Sequence, residues 1–213
     1  MINKKGLLLV VSGPSGTGKG TICKDIVSKH EDINLSISAT TRKPRIGEIE
    51  GKSYFFKTKE EFEAMVDRGE FLEHAMIYDN YYGTPKKAIF DELDMGRDVI
   101  LEIEMQGAMQ IKEVYPQAVF IFVLPPSLQE LRNRIVGRGT ETEEQIEKRF
   151  NSAYDEIKLL GDYDYFIFNN IVEKSAEEIL NILEVEKNKV SRYKKDILDM
   201  FEKEIKNVKT IIK

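Results

Sequence analysis

The run Gly13-Pro14-Ser15-Gly16-Thr17-Gly18-Lys19 is the stretch of this sequence whose residue types and spacing speak most directly of chemistry. It follows an apolar run, Leu7 to Val11, and precedes a segment that reads as helix. Glycines at this spacing let successive backbone amides turn into one concavity, and the helix behind them adds its positive end, so a phosphate can be cradled there. Lys19 contributes a mobile point charge for a phosphoryl group in transfer. The segment from Gly13 through Lys19, extended by Gly20 and Thr21, therefore reads as a nucleoside triphosphate site. Gly20 is a departure, because the common pattern places after the lysine a Ser or Thr that ligates Mg²⁺ directly. Mg²⁺ commonly keeps several waters and can be held through the nucleotide phosphates instead. Thr21 is expected on a phosphate, not on the metal.

A second cluster runs from Ser38 through Arg42, Pro44, Arg45 and Glu48, and continues to Gly51-Lys52-Ser53-Tyr54. Two arginines three apart around a proline, in a segment that also holds hydroxyls, can converge on one phosphate as paired forks. Taken alone, such a pair is more often solvated surface. Neither His30 nor His74 stands in a catalytic pattern, and Cys23, the one cysteine, reads as a buried packing residue.

These residues need a scaffold, and the apolar pattern supplies one. Leu7 to Val11, Val99 to Ile103, Ala118 to Leu124 and Tyr165 to Phe168 are short apolar runs separated by stretches that read as helix. That alternation predicts an α/β fold, a parallel sheet flanked by helices. Helix starts are marked by Ser or Thr three residues ahead of Glu or Gln, at Thr58, Ser127, Thr142 and Ser175. Thr84-Pro85 predicts a fifth start, with Pro in the first helical position. Two segments interrupt the alternation: residues 36–84, rich in Tyr and Phe, read as an inserted small mixed sheet, and residues 127–150, polar and arginine-rich, as a hinged flap. The core is then 1–35, 85–126 and 151–213. Its tail has apolar residues at 190, 193, 197, 201, 205, 208 and 212, one stripe on a helix expected to pack along the core, with a homodimer seam as the second choice.

Composition sets the outer limits. With 213 residues, 41% hydrophobic and 32% charged, the chain can bury a sizeable core without disulfides. Its longest apolar run is far short of the ~20 residues that span a bilayer, and no cleavable leader is recognisable, so the cytoplasm is the expected location. From Lys187 onward nine Lys or Arg face four acids, against a net charge of -5 for the whole chain. Without a nucleic-acid-binding motif this basic tail is expected to be a solvated helix face.

With Phe71-Leu72-Glu73, Tyr81-Tyr82-Gly83-Thr84, Glu102-Ile103-Glu104-Met105-Gln106-Gly107 and Gly137-Arg138-Gly139-Thr140-Glu141-Thr142 in this order behind the phosphate loop, the chain resembles the guanylate kinases over most of residues 7–185. These are P-loop enzymes that phosphorylate GMP with ATP. The resemblance implies an ATP and GMP enzyme, with dGMP as a further acceptor, Mg²⁺ accompanying ATP, and no nucleic-acid or membrane partner. It places the GMP phosphate against Arg42, Arg45, Tyr54 and Tyr82. Guanine falls against Glu73, with Ser38 and Thr84 near its carbonyl oxygen and Glu104 close to the GMP site. Arg134, Arg138 and Arg149 of the flap go to the ATP phosphates, and Asn169 lies near adenine. Arg132, off the face shared by Arg134 and Arg138, serves as a negative control. Where the family usually has Asp, this chain has Glu104; with Glu102 it is a candidate for the outer shell of the metal.

Chemistry supports the implied base reader. Guanine presents two donors, N1-H and the exocyclic amine, that one carboxylate can accept together, whereas adenine N1 is an acceptor. A phosphate monoester whose second pKa is about 6 is already mostly a dianion near pH 7 and needs no general base. Lys19, Arg42, Arg134, Arg138 and Arg149, with Mg²⁺, are then the charge available for positioning and electrostatic stabilisation. Two other readings compete: a non-catalytic binding module of the same fold, and a kinase for another small phosphate acceptor.

Overall fold

The computed structural model describes residues 4–77, 79–137 and 143–211. Its strands are β1 (Leu8–Ser12), β2 (Ile33–Leu35), β3 (Ala39–Thr40), β4 (Phe55–Phe56), β5 (Phe71–Ile77), β6 (Asn80–Pro85), β7 (Asp98–Glu102), β8 (Val119–Leu124) and β9 (Tyr165–Phe168). The helices are α1 (Lys19–Lys29), α2 (Lys59–Asp67), α3 (Lys86–Asp94), α4 (Met105–Val114), α5 (Leu128–Val136), α6 (Glu143–Ile157), α7 (Val172–Glu186) and α8 (Val190–Ile211), with a 3₁₀ turn, Lys158–Asp162, after α6.

The fold is α/β. A parallel sheet in the order β2-β7-β1-β8-β9 puts β1, the strand that feeds the phosphate loop, at its centre. Because successive side chains of a strand point to opposite faces, Leu7, Leu9 and Val11 pack with Ile22, Cys23 and Ile26 of α1 and Ile179 and Leu183 of α7. Leu8 and Val10 pack on the other side with Ile89 and Leu93 of α3 and Ala108 and Ile111 of α4. Both faces are covered, which is why the strands read as uninterrupted apolar runs. Truncating one of these buried Leu or Ile side chains to Ala costs about 2–5 kcal/mol. The edge strand β2 escapes the sequence reading because it is only Ile33-Asn34-Leu35, too short to stand out.

The inserted sheet has the order β4-β3-β6-β5, with β3 parallel to β4 and antiparallel to β6. Its aromatics form its own small core: Phe62 of α2 is fully buried and stacks on Phe71 at 4.5 Å and on Tyr81 at 5.3 Å. The pairing of β5 with β6 slips between Phe71 and His74, so a bulge falls at Leu72 and Glu73.

Local signals fared unevenly. Thr58 and Glu61 form the complete capping box, and the Ser127 hydroxyl accepts from the Glu130 amide. Thr142 lies outside the described residues. Ser175 caps nothing: α7 begins three residues earlier, and Ser175 is buried with its hydroxyl donating to Asn169 Oδ1 at 3.2 Å. Thr84 is no cap either, since α3 starts at Lys86 with Pro85 before it, and the Thr84 hydroxyl is used in the sheet. Helix α6 continues past residue 150 to Ile157.

The tail corrects the expectation that its stripe packs on the core. Of that stripe Tyr193 and Ile197 are half-buried, while Val190, Phe201 and Ile205 are each more than half exposed. The physical reason is that α7 already packs on this side of the sheet, with Ile179 and Leu183 against the core residues of β1 and α1. The start of α8 is tied down through Arg192, whose guanidinium donates to buried Glu186 at 2.7 Å and to the Gln117 carbonyl at 3.0 Å.

Candidate active site

The loop between β1 and α1 turns on glycines where no other residue fits well. Gly13, Gly16 and Gly18 have φ of 140, 94 and 89°, the region open to glycine. A Cβ on Gly13 would meet the Val123 carbonyl oxygen at 2.3 Å, and one on Gly18 would meet Asn169 Nδ2 at 2.4 Å. Pro14 accepts the Thr17 hydroxyl at 2.9 Å, which closes the turn; Ser15 lies at its outer bend. Lys19 folds back over the loop and donates to the carbonyls of Gly13 and Pro14 at 2.5 and 3.2 Å. The side chain is thus parked where a phosphate can recruit it.

Gly20 acquires a reason. A Cβ there would lie 2.9 and 3.0 Å from the two carboxylate oxygens of Glu102 at the end of β7. The space that a Ser or Thr side chain would fill holds a carboxylate instead. Burial raises the Glu102 carboxyl, opposed by Lys19 and Lys24, while Glu104 adds to the rise. Glu104 stands at the N-cap of α4, and its carboxylate makes no capping bond to that helix. Thr21 lies on the first turn of α1 with its amide bonded to the Gly18 carbonyl.

Two residues clamp the loop from the far side. Asn169, buried just after β9, donates to the Thr17 carbonyl at 2.6 Å. Arg134 of α5 donates to the carbonyls of Asn169 and Thr17 at 3.1 and 3.4 Å, with Glu130 holding its Nε at 2.9 Å. Arg132 is exposed on the other side of that helix. Arg138 lies outside the described residues, and so does the side chain of Arg149, whose backbone belongs to α6.

The inserted sheet gathers a second set. Arg42 places Nη1 and Nη2 on the two oxygens of Glu48 at 3.0 and 2.8 Å, with its guanidinium 5.3 Å from the centre of the Tyr54 ring. Tyr54 meets Tyr82 edge to face at 6.1 Å. The Arg42 pair, with the Arg45 amide at 2.7 Å, holds the Glu48 carboxyl down at about 2. Arg45 itself is exposed, and its guanidinium does not join the Arg42 fork. Ser38 immediately precedes β3, and its carbonyl accepts from Phe55 at 2.9 Å.

Glu73 is buried at the bulge of β5, and Thr84 donates to its Oε1 at 2.5 Å. Burial pushes this carboxyl above its ordinary range, with the Thr84 bond opposing. Its other oxygen lies against the backbone of α4, where a Cβ on Gly107 would come within 2.8 Å. Gln110, one turn on, accepts from the His74 amide at 3.2 Å and donates to the His74 carbonyl at 3.1 Å, pinning the strand next to Glu73. Gly107 and Gln110 are supporting residues that motif reading misses as such. A glycine within a helix costs about 1 kcal/mol against Ala, which is the signal of a close approach.

The molecule thus combines a P-loop with a buried carboxylate and an arginine fork, and the known proteins point the same way. A family model described as Guanylate kinase matches residues 5–186. The chain belongs to the guanylate kinase family. Its relatives include a guanylate kinase of Clostridioides difficile (strain 630), 67% identical over 205 residues that cover 96% of this chain and 100% of the relative. One of Caldanaerobacter subterraneus subsp. tengcongensis is 55% identical over 193 residues, covering 91% and 94%. The crystal structure of guanylate kinase from Anaplasma phagocytophilum matches with a TM-score of 0.73 at 37% identity, covering 88% of this chain and 89% of that one. Helix α8 lies beyond the stretch that the guanylate kinase model matches.

Proposed function

We propose that the P-loop and the inserted sheet work as the two halves of one phosphotransferase site, carrying out the ATP-dependent phosphorylation of GMP that membership of the guanylate kinase family assigns to the chain. The observation that carries the choice of acceptor is Glu73, a buried carboxylate oriented by Thr84. A carboxylate there accepts both guanine donors, while adenine would set a lone pair against it. A buried polar mismatch of this kind can discriminate by ~10⁴-fold in favourable sites. Arg42, set by Glu48, takes the GMP phosphate with Tyr54 and Tyr82, and Arg45 reaches it from the loop; Ser38 and Thr84 lie by the guanine carbonyl.

On the ATP side the loop amides hold phosphates and Lys19 leaves its two carbonyls for the transferring group. Arg134, Arg138 and Arg149 add charge from the lid, residues 127–150, as it closes with the GMP subdomain, residues 36–84, over a core of 1–35, 85–126 and 151–213. Asn169 fixes the loop close to where adenine lies. Water is excluded on closure, so the phosphoryl group is delivered to GMP and not to solvent.

The donor set suits a hydrated Mg²⁺: Glu102 fills the space opposite Gly20, and Glu104 spends no bond on its helix. Bound with ATP, the cation supplies charge neutralisation on the phosphates. Glu102 and Glu104 would hold it through its waters. Among the described residues no helix is long and apolar enough to cross a membrane, in keeping with work in the cytoplasm.

A coupled ADP-release assay with Mg-ATP and each of GMP, AMP, CMP and UMP tests this, in parallel on Glu73→Gln. Turnover with GMP alone, lowered in the variant, is expected. Turnover with another monophosphate would end the Glu73 assignment, and ATP binding without turnover on any acceptor would favour a binding module.

A further inference from the structure

Among the described residues, three buried side-chain polar atoms have no hydrogen-bond partner: Ser12 Oγ, Tyr163 OH and Glu156 Oε2. All three come together at one place. Ser12, fully buried, ends β1 directly before Gly13 of the phosphate loop. The Tyr163 ring packs on Phe122 at 4.8 Å, in a cluster that includes Met105, the residue after Glu104, and Ile157, the residue after Glu156. The last turn of α6 is thereby seated against the start of α4, and Glu156 faces the loop. Glu104, Lys19 and the Ser15 amide all bear on its charge, although burial has the larger effect and raises its carboxyl.

The two oxygens of Glu156 are treated differently. Oε1 accepts from the Ser152 hydroxyl at 2.8 Å, and Oε2 has nothing. Leaving a buried acceptor unmade costs about 1–3 kcal/mol, and more for a charged group, so such an atom calls for a ligand. An entering phosphate cannot be that ligand, because it brings only acceptors and the same sign of charge. What answers both Oε2 and the phosphate is a cation carrying donors, and a hydrated divalent metal is one.

We propose that Glu156 is a positioning residue for the metal of MgATP, its free Oε2 accepting from a water of the metal's hydration shell alongside Glu102 and Glu104. This rests on the metal-assisted reading above and extends it to the core end of α6, the helix that begins in the lid. Helix α6 carries Arg149 two turns before Glu156, so the helix that brings charge to the phosphates also holds the metal's water shell. The metal then becomes a sensor of where α6 sits.

The test uses the full chain with ATP and Mn²⁺ as the probe, free Mn²⁺ being followed by its electron spin resonance. Partners that orient a metal's own ligands are typically worth 10–100-fold in affinity, so Glu156→Gln is expected to weaken Mn²⁺ binding by the enzyme–ATP complex by about 10-fold. ATP affinity in EDTA should be unchanged or tighter. Asp155→Asn, next door but exposed and paired with Lys158, should change neither. Ser152→Ala, which releases the orientation of Glu156 without touching its charge, should weaken Mn²⁺ binding by less than Glu156→Gln does, and it serves if Glu156→Gln melts early. Unchanged Mn²⁺ affinity in Glu156→Gln, with ATP alone bound more tightly, would show a carboxylate that merely repels phosphate and would overturn the proposal. Should the unaltered chain bind ATP no better with Mn²⁺ than in EDTA, the metal-assisted reading itself fails, and the Glu156 role with it.

Discussion

The two anion sites of this molecule are made of different materials. The half proposed for ATP is backbone: three glycines with positive φ, a helix start, and a lysine resting on main-chain carbonyls. The half proposed for GMP is side chain: an arginine fork on Glu48, two tyrosines edge to face, and a carboxylate set by a threonine at a β-bulge. A backbone nest is indifferent to what the phosphate is attached to, and reads only charge and shape. A side-chain site can tell one base from another because each polar atom demands its complement. On the proposed assignment, indifference toward the donor's phosphates and discrimination for the acceptor follow from construction.

The sharpest way to break the comparison is Lys19→Ala. If the lysine belongs to the transferring phosphoryl group, turnover falls ~10³-fold, the scale of losing one preorganised charge at a transition state. GMP affinity, measured by calorimetry, should stay unchanged. A loss shared by both nucleotides would mean that the halves are not separately built.

The base reader gives the next largest effect, with a pH signature. The Glu73 carboxyl is raised by burial, and only its ionised form accepts both guanine donors. Near pH 7 the advantage of the unaltered chain over Glu73→Gln in kcat/KM for GMP should be about 100-fold, the worth of a buried hydrogen bond to a charged group. It should shrink as pH falls toward the raised pKa, because protonated Glu73 and Gln then look alike. Taking the ratio cancels the titration of the GMP phosphate itself. A ratio flat with pH would remove Glu73 from the base.

A smaller effect is expected at Glu48. With its carboxyl held at about 2, it stays charged and paired to Arg42 throughout the range of the assay. It occupies the Nη1 and Nη2 edge of the guanidinium and so fixes how the rest of the fork meets a phosphate. Glu48→Gln should raise KM for GMP about 10-fold through lost preorganisation, with kcat little changed. A lower KM would show instead that Glu48 competes with the phosphate.

Legibility in the sequence followed the same division. The phosphate loop could be read because backbone geometry demands particular residues at fixed spacing, and the sheet because strands buried on both faces leave unbroken apolar runs. The apposition of Glu73 and Thr84 needed a register, and the bulge that sets it leaves no mark in the residue types. The resemblance named both residues; it did not show that Gly107 must be small to admit the carboxylate, or that Gln110 pins the strand. Ser175 and Thr84 carried capping signals and were used elsewhere, since a buried hydroxyl goes to whichever acceptor the tertiary packing presents. The α8 stripe marks a helix face, of which Tyr193 and Ile197 are half-buried and Val190, Phe201 and Ile205 exposed, because periodicity gives the face and says nothing of how far a partner surface extends.

Gly20 is where the two kinds of construction meet, and it supplies the finest test. By pattern the position calls for Ser, a direct metal ligand; by structure a Cβ there falls within 3.0 Å of both Glu102 oxygens. Gly20→Ser should therefore not improve the enzyme. The carboxylate is the far end of a flexible side chain and can swing aside, at the cost of an off-rotamer conformation, ~0.5–1.5 kcal/mol. A shift of that size in the metal's surroundings predicts a several-fold loss in kcat/KM for MgATP, with ATP binding in EDTA unaffected. Gly20→Ser combined with Glu102→Ala should recover part of the loss, because the hydroxyl then has room to ligate as in the common pattern. If Gly20→Ser alone raised kcat/KM, the carboxylate behind Gly20 would have no part in holding the metal, and the ATP half would be backbone throughout.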